Sequence, residues 1–365
     1  MTAKERNQKI KEYLGTVISD AKKTNEKSYT ELDDYTEMKN LLDFLIPHKS
    51  DGYRGVVITA ICGMHLNSDY NPLTNFYDCR PRAIFEGGIY YVLEEFKIPT
   101  GKSAPLNVAK AQKQLDSSWT EGKRGADKIA AEAAVSYIKL LVNSEKGIYK
   151  QLVKYFFLRL DQYAETVSSI EIYEVEPTTE SRNNFANRLV HFTLGYPESG
   201  TVPQLVVGKL IRFVVENSEK HVKGEAESVF GTNTTSKKPA DIWIENEKGI
   251  PQVLYEITVK KIDFKRLDDC IHTIRAAQSS ENIDINFICR MPIDISSLDL
   301  SPRTNTLNYK RQWFNFISIN SFIINCINLL TDDELKQYFS ELIIFIEEVK
   351  RPKKTKDGWN LIFSD

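Results

Sequence analysis

Lys237 to Lys261 reads KKPADIWIENEKGIPQVLYEITVKK. Two short apolar runs flank the polar, turn-like Glu245-Asn246-Glu247-Lys248-Gly249, a pattern that predicts two strands joined by a tight connection. Pro239 and Asp241 stand at the head of the first run, and Glu256, Thr258 and Lys260 alternate along the second. Strand side chains alternate faces, so Leu254, Glu256, Thr258 and Lys260 are expected on one side and Val253, Tyr255, Ile257 and Val259 on the other. The second set reads as a core face. The first is polar for so apolar a strand, and the pairing would bring an aspartate, a glutamate and a lysine together at one end of a sheet.

The flanking sequence supplies a frame for that hairpin. Pro203 to Lys223 has the period of one amphipathic helix, with Val206, Leu210, Phe213 and Val214 on its buried face. A possible strand follows at Ala226 to Phe230. Beyond the hairpin, a helix is predicted from about Phe264 to Gln278, a buried strand over Asp284 to Cys289 and another over Phe314 to Ile319. A helix between two such strands makes a right-handed crossover onto a parallel pair, which gives a mixed sheet with helices on its faces. Thr331 and Glu334 form a capping box for a last long helix to about Val349. The basic tail, Lys350 to Lys356, reads as solvated.

The first 165 residues read as almost entirely helical. Ile10, Tyr13, Leu14, Val17 and Ile18 repeat at helical spacing, as do Leu41, Leu42, Phe44 and Leu45 before Pro47. Gly55 to Leu66 is apolar nearly all round and predicts a buried helix. Pro81 suits the first turn of a helix to about Phe96, Thr100 to Asn107 reads as a loop, and two helices are expected over Gly125–Leu141 and Lys146–Thr166. Alternation over Ile170–Val175 suggests a strand, and a polar stretch through Asn184 reads as a linker followed by a short helix. The expected organisation is a mainly helical region over 1–165, a connecting segment over 166–202 and an α/β (α+β) core over 203–365, with a mixed central sheet flanked by helices.

Composition narrows the function classes. The chain has 365 residues, 41% hydrophobic and 27% charged, with a formal net charge of −2, the profile of a globular protein. That charge argues against coating nucleic acid by bulk attraction, but a local basic cleft does not depend on the sum. The five cysteines include no CxxC pair, which fits reduced thiols and no zinc site. No leader-like apolar run opens the chain and no run reaches the roughly 18 apolar residues of a spanning helix, so a cytoplasmic protein with no membrane role is expected. The histidines show no HxH or HExxH spacing, and neither a GxxxxGK[ST] loop nor a GxGxxG turn is present.

Two carboxylates converging from neighbouring strands can hold Mg²⁺ through hard oxygen ligands. The ion would polarise a phosphate and lower the pKa of an attacking water, with a lysine to steady the developing charge. The same residues would also fit a surface hairpin closed by an exposed ion pair, which stabilises little. Pro239-x-Asp241 with Glu256-x-x-x-Lys260 resembles the motif of the PD-(D/E)xK nuclease superfamily, and more narrowly the SacI-like group of type II restriction endonucleases. Tyr77-Asp-x-Arg80 and Gly101-Lys-Ser-Ala-Pro-Leu-Asn107 carry a looser resemblance to the same group.

That resemblance implies a restriction-endonuclease-like core, Mg²⁺-dependent hydrolysis at a specific double-stranded DNA sequence, and a cognate DNA methyltransferase sharing the target site. It implies metal binding by Asp241 and Glu256, with Lys260 assisting the water. An acidic residue on the helix before the sheet would be Glu216, with Glu227 competing for the role. The common pattern places lysine two residues after the glutamate, where this chain has Thr258. Lys260 lies roughly 6.6 Å further along a regular strand, and Lys238 and Lys261 stand in reserve. The basic group Lys260, Lys261, Lys265 and Arg266 opposes the dipole of the following helix, which a phosphate partner would explain. Arg80, Arg82, Lys102, Lys123 and Arg124 are candidates for reaching DNA from the helical region. Cutting both strands of a palindromic site calls for two active sites, hence a homodimer. Alternatives are a modification-dependent or repair/junction nuclease of the same fold, or a non-catalytic DNA-binding protein.

Overall fold

Ile10, Leu14, Ile18 and Ala21 are fully buried along one face of α1 (Ala3–Lys22). The helix starts at a capping box, in which Thr2 Oγ1 accepts the Glu5 amide at 3.2 Å and Glu5 Oε2 accepts the Thr2 amide at 2.8 Å. These reciprocal bonds satisfy donors that the first turn leaves without helical partners. The computed structural model describes residues 1–177, 180–215, 220–225, 238–276, 283–301 and 303–364. The chain forms two compact units, one of residues 1–171 with 348–353 and the other of residues 172–347 with 354–365.

The first unit is helical, as expected. After α1 come α2 (Tyr35–Leu45) and α3 (Gly52–Leu66), whose first twelve residues are all buried. Arg54 lies within that buried run and is accommodated because its guanidinium donates to the carbonyls of Ile46, His48 and Pro99. The helix predicted over Pro81–Phe96 is broken into α4 (Pro81–Ile84), a π turn (Phe85–Ile89) and α5 (Tyr90–Glu95). Gly87 lies in that turn against α1, where a Cβ would come within 2.5 Å of Asn7 Nδ2. Part of the predicted loop at 100–107 belongs to α6 (Ala104–Ala109), with buried Pro105 in its first turn and Gly55 of α3 packed on it. Next are α7 (Ser117–Glu121), α8 (Gly125–Asn143) and α9 (Lys146–Ser168).

In the second unit, α10 (Arg182–Gly195) and α11 (Thr201–Val215) precede β1 (His221–Lys223), β2 (Ile242–Glu245) and β3 (Pro251–Ile257). Then come α12 (Phe264–Ala276), β4 (Ile285–Cys289), β5 (Thr306–Tyr309) and β6 (Gln312–Ser318). The chain ends with α13 (Ile319–Leu329), α14 (Asp332–Glu347) and α15 (Lys353–Phe363). Among the described residues the six strands form one mixed sheet, ordered β1-β2-β3-β4-β6-β5. β3, β4 and β6 are parallel, and the pairs β1–β2, β2–β3 and β5–β6 are antiparallel. The β3–α12–β4 crossover is the predicted one, and the fold class is mixed α/β.

Both faces of the sheet are covered. Ile242, Ile244, Ile257 and Ile288 pack with residues of α10, α11, α13, α14 and α15 in one core. Trp243, Leu254, Phe287, Phe314 and Phe316 pack with Leu267, Cys270, Ile271 and Ile274 of α12 in another. The side of β3 that carries Leu254 and Glu256 is therefore a core face too, as parallel strands require.

Several expectations change. Residues 170–177 contain no strand; the Tyr173 amide there donates to Asn360 Oδ1 at 2.8 Å. Residues 182–195 form the short helix expected after the polar stretch, but its Phe185, Leu189 and Phe192 enter the core of the second unit, so it is not part of a connecting segment. The helix predicted to Lys223 does not reach it, because His221–Lys223 pairs with β2, and Val214 is exposed. The strand expected at 226–230 lies outside the described residues. The tail is only partly solvated: Lys350 and Lys354 are exposed, but Arg351 and Lys356 are buried, and Lys356 Nζ donates to the Glu347 carbonyl at 3.2 Å. No helix among the described residues is long and apolar enough to cross a membrane.

Candidate active site

The β2–β3 hairpin turns on Asn246, whose side-chain oxygen accepts the amides of Lys248 and Ile250 while its own amide donates to the Ile250 carbonyl. This Asx geometry fixes the register. Ile242 lies opposite Tyr255, so one step outward Asp241 faces Glu256, and directly opposed residues of an antiparallel pair share a face. Asp241 Oδ2 accepts the Ile257 amide at 3.0 Å, which holds the aspartate at the end of β3. The register thus places Asp241 opposite Glu256 at the end of the two strands.

Glu256 follows Leu254 onto the face beneath α12, and its side chain is only 3% exposed. A buried carboxylate needs a compensating charge. Arg266, in the first turn of α12, provides one: its Nη2 lies 2.6 Å from Glu256 Oε2. Asp263 Oδ1 accepts the Arg266 amide at 2.9 Å and so fixes the start of the helix. Burial lowers the Arg266 pKa, but the carboxylates, Glu256 first and then Asp241 and Asp269, outweigh it and leave it raised. The Cys270 thiol is pushed well up, by burial first and then by Glu256, with Asp241 and Asp269 adding and Arg266 opposing. Both carboxylates thus act on one small region beside Arg266 and a neutral, non-nucleophilic Cys270.

Lys260 does not continue the strand face of Glu256. β3 ends at Ile257, and the chain then leaves the sheet: the Thr258 amide donates to the Ile288 carbonyl at 3.1 Å, and Thr258 Oγ1 accepts the Lys260 amide at 3.1 Å. Lys260, Lys261 and Lys265 are all exposed around the start of α12, and Lys238 is half-buried. Glu216 and Glu227 lie outside the described residues. Arg266 as the partner of Glu256 was not predicted; the only sign of it in the sequence is a cation in the first turn of a helix, where the dipole disfavours it.

Two opposed carboxylates are hard oxygen donors, and the buried one, Glu256, already holds a guanidinium at 2.6 Å. The donor chemistry fits Mg²⁺, with water completing the coordination. Among the described residues no group of three His, Cys, Asp or Glu side chains gathers into a fuller ligand set.

In the first unit the two other sequence patches are each tied to neighbouring segments. Ser103 Oγ donates to Glu86 Oε1 at 2.5 Å, and Arg82 Nε lies 3.8 Å from the same oxygen. Tyr77 Oη accepts the Ala111 amide at 2.6 Å, tying its turn to the end of α6. Arg80, Arg82 and Lys102 are exposed, and Lys102 Nζ stands 5.7 Å from the Tyr91 ring centre. Arg80 has φ 55° and ψ 65°, a left-handed conformation unfavourable for a side chain with a Cβ. Lys123 Nζ donates to the Val108 carbonyl at 2.9 Å, while Arg124 is exposed. No protein-family model matches the chain, and no curated protein matches it.

Proposed function

We propose that the chain is a Mg²⁺-dependent endonuclease of the restriction type, hydrolysing phosphodiester bonds at a specific site in double-stranded DNA. The observation that carries this reading is the facing of Asp241 and Glu256 across the end of β2 and β3, with Asp241 bonded to the Ile257 amide. Asp241 and Glu256 would hold the metal. Bound there, Mg²⁺ supplies Lewis-acid activation of the phosphate and a lowered pKa for the attacking water. Lys260, on the exposed turn after β3, is assigned to steady the water, and Glu216 is assigned as an accessory acid. Lys261 and Lys265 are assigned to backbone phosphates, and Arg80, Arg82 and Lys102 to the duplex from the helical unit. A homodimer, a cytoplasmic setting and a cognate methyltransferase belong to the same proposal.

The test is cleavage of plasmid DNA in Mg²⁺ by the parent chain, Asp241→Asn and Glu256→Gln, with folding of each checked by thermal denaturation. Loss of cutting by at least ~10²-fold in both folded variants is expected. Cleavage by both at the parental rate would remove the assignment. Discrete fragments from unmethylated DNA support the restriction reading, whereas cutting only of methylated DNA would mark a modification-dependent enzyme. The Arg266–Glu256 ion pair also suits a non-catalytic DNA-binding protein, and duplex binding by a parent chain that does not cut would favour that alternative.

A further inference from the structure

The Glu256 side chain is 3% exposed, and its Oε2 is held 2.6 Å from Arg266 Nη2; the Arg266 side chain is 41% exposed. The pair is therefore asymmetric. The carboxylate is almost wholly buried, while the guanidinium, on a long side chain in the first turn of α12, is partly exposed. A divalent cation that uses Glu256 Oε2 must take the place of that guanidinium, because a carboxylate oxygen pressed against a metal ion cannot keep an arginine at ion-pair distance without strong like-charge repulsion. Asp241 attracts the same guanidinium and helps to raise the Arg266 pKa, so a cation held by both carboxylates would compete with Arg266 at each of them.

We infer that Arg266 is a gate on the metal site: it neutralises Glu256 before metal arrives and is displaced when a divalent cation binds. This rests on the endonuclease reading, through Glu256 as a metal ligand. The gate has two consequences. Before metal binds, the buried carboxylate stays compensated, so the site does not have to unfold or take up a proton. Metal affinity is lowered by competition, and an anion that attracts the displaced guanidinium relieves that penalty. Exposed Lys260, Lys261 and Lys265 lie on the same turn and first helical turn, where a DNA phosphate would meet them, so DNA and metal are expected to favour one another reciprocally.

The experiment measures metal binding by the full chain without DNA, which requires no activity. Mn²⁺ is titrated and followed by its free-ion paramagnetic resonance signal, and Mg²⁺ by calorimetry, for the parent, Arg266→Gln, Arg266→Lys and Glu256→Gln. Removing the competing charge is expected to tighten Mn²⁺ binding at least ~10-fold in Arg266→Gln. Arg266→Lys, which keeps a charge but loses the planar fork, should fall between. Equal or weaker binding by a folded Arg266→Gln would overturn the gate, leaving Arg266 as a structural partner. If Glu256→Gln binds Mn²⁺ as tightly as the parent, the failure lies in the metal assignment itself, whatever Arg266 does. Should Arg266→Gln fail to fold, the parent still decides: saturating Mg²⁺ should shift the Arg266 Nε–H resonance and quicken guanidinium rotation. A resonance unchanged at saturation would overturn the gate.

Discussion

Asp241 Oδ2 accepts the Ile257 amide at 3.0 Å, so one candidate metal ligand is anchored to the last residue of the strand that carries the other. The bond separates two roles of one side chain. Asp241→Ala removes the acceptor and leaves a strand-end amide without it, which should cost about 1–3 kcal/mol. Asp241→Asn keeps a side-chain oxygen and should cost less than about 1 kcal/mol, while weakening the hold on a cation. Urea denaturation checks this, and equal losses in the two variants would mean that the bond contributes nothing measurable.

Arg80 offers a converse case, in which the backbone conformation opposes the residue. A non-glycine side chain in the left-handed region costs on the order of 1–3 kcal/mol, and no side-chain bond in the cap offsets it. Arg80→Gly should relieve the strain and, after the extra entropy glycine loses on folding, raise stability by about 1 kcal/mol. If the guanidinium meets a phosphate, the same variant binds duplex more weakly and with a salt dependence reduced by about one contact. Greater stability with unchanged DNA affinity would remove Arg80 from the interface.

How far the sequence discloses this arrangement depends on how local each signal is. The hairpin was legible because Asn246 and Gly249 encode the turn and the flanking runs encode the strands. The capping box at Thr331 and Glu334 is equally local, and it forms with the Glu334 amide 3.3 Å from Thr331 Oγ1. Partner-dependent features were not legible. The 221–223 stretch is too short to carry a strand signature of its own; pairing with β2 makes it a strand. β5 has four residues and, among the described residues, pairs with β6 alone. Five cations in Lys350–Lys356 suggest solvent, yet long stems can bury while their tips find carbonyls, as Lys356 does at Glu347. At the candidate site, alternation placed Glu256 on a face, but only the packing of α12 shows that the face is buried and that Arg266 answers the charge.

Glu341 predicts how the second unit responds to acid. Burial pushes its carboxyl up, but hydrogen bonds from Lys209, at 2.5 Å, and Arg212 outweigh that and hold it below its ordinary value of 4.5. A carboxyl whose folded pKa is depressed contributes stability that is present above the unfolded value and lost as pH falls through the folded one. Glu341→Gln should therefore be less stable than the parent at pH 7. The gap should close as pH drops below 4.5. Denaturation midpoints at pH 7, 5 and 4 test this, and a gap that stayed constant would show that the carboxylate charge is not what stabilises the cluster.

The last helix is expected to hold the second unit together. Trp359 is fully buried; its ring centre lies 4.4 Å from that of Phe363 and 5.1 Å from that of Phe192, and Nε1 donates to the Tyr173 carbonyl at 3.0 Å. Trp359→Ala should cost about 3–5 kcal/mol by opening a cavity at that contact. Trp359→Phe keeps most of the ring and loses the bond, so about 1 kcal/mol of its cost belongs to the Tyr173 carbonyl. Gly358 supplies an independent check: any Cβ there would fall 2.4 Å from the Tyr196 ring, so Gly358→Ala must displace that ring or the helix. Thermal denaturation should rank Trp359→Ala well below Trp359→Phe, with Gly358→Ala also below the parent. If all three melted with the parent, α15 would be a dispensable appendage and its charged start a tail after all.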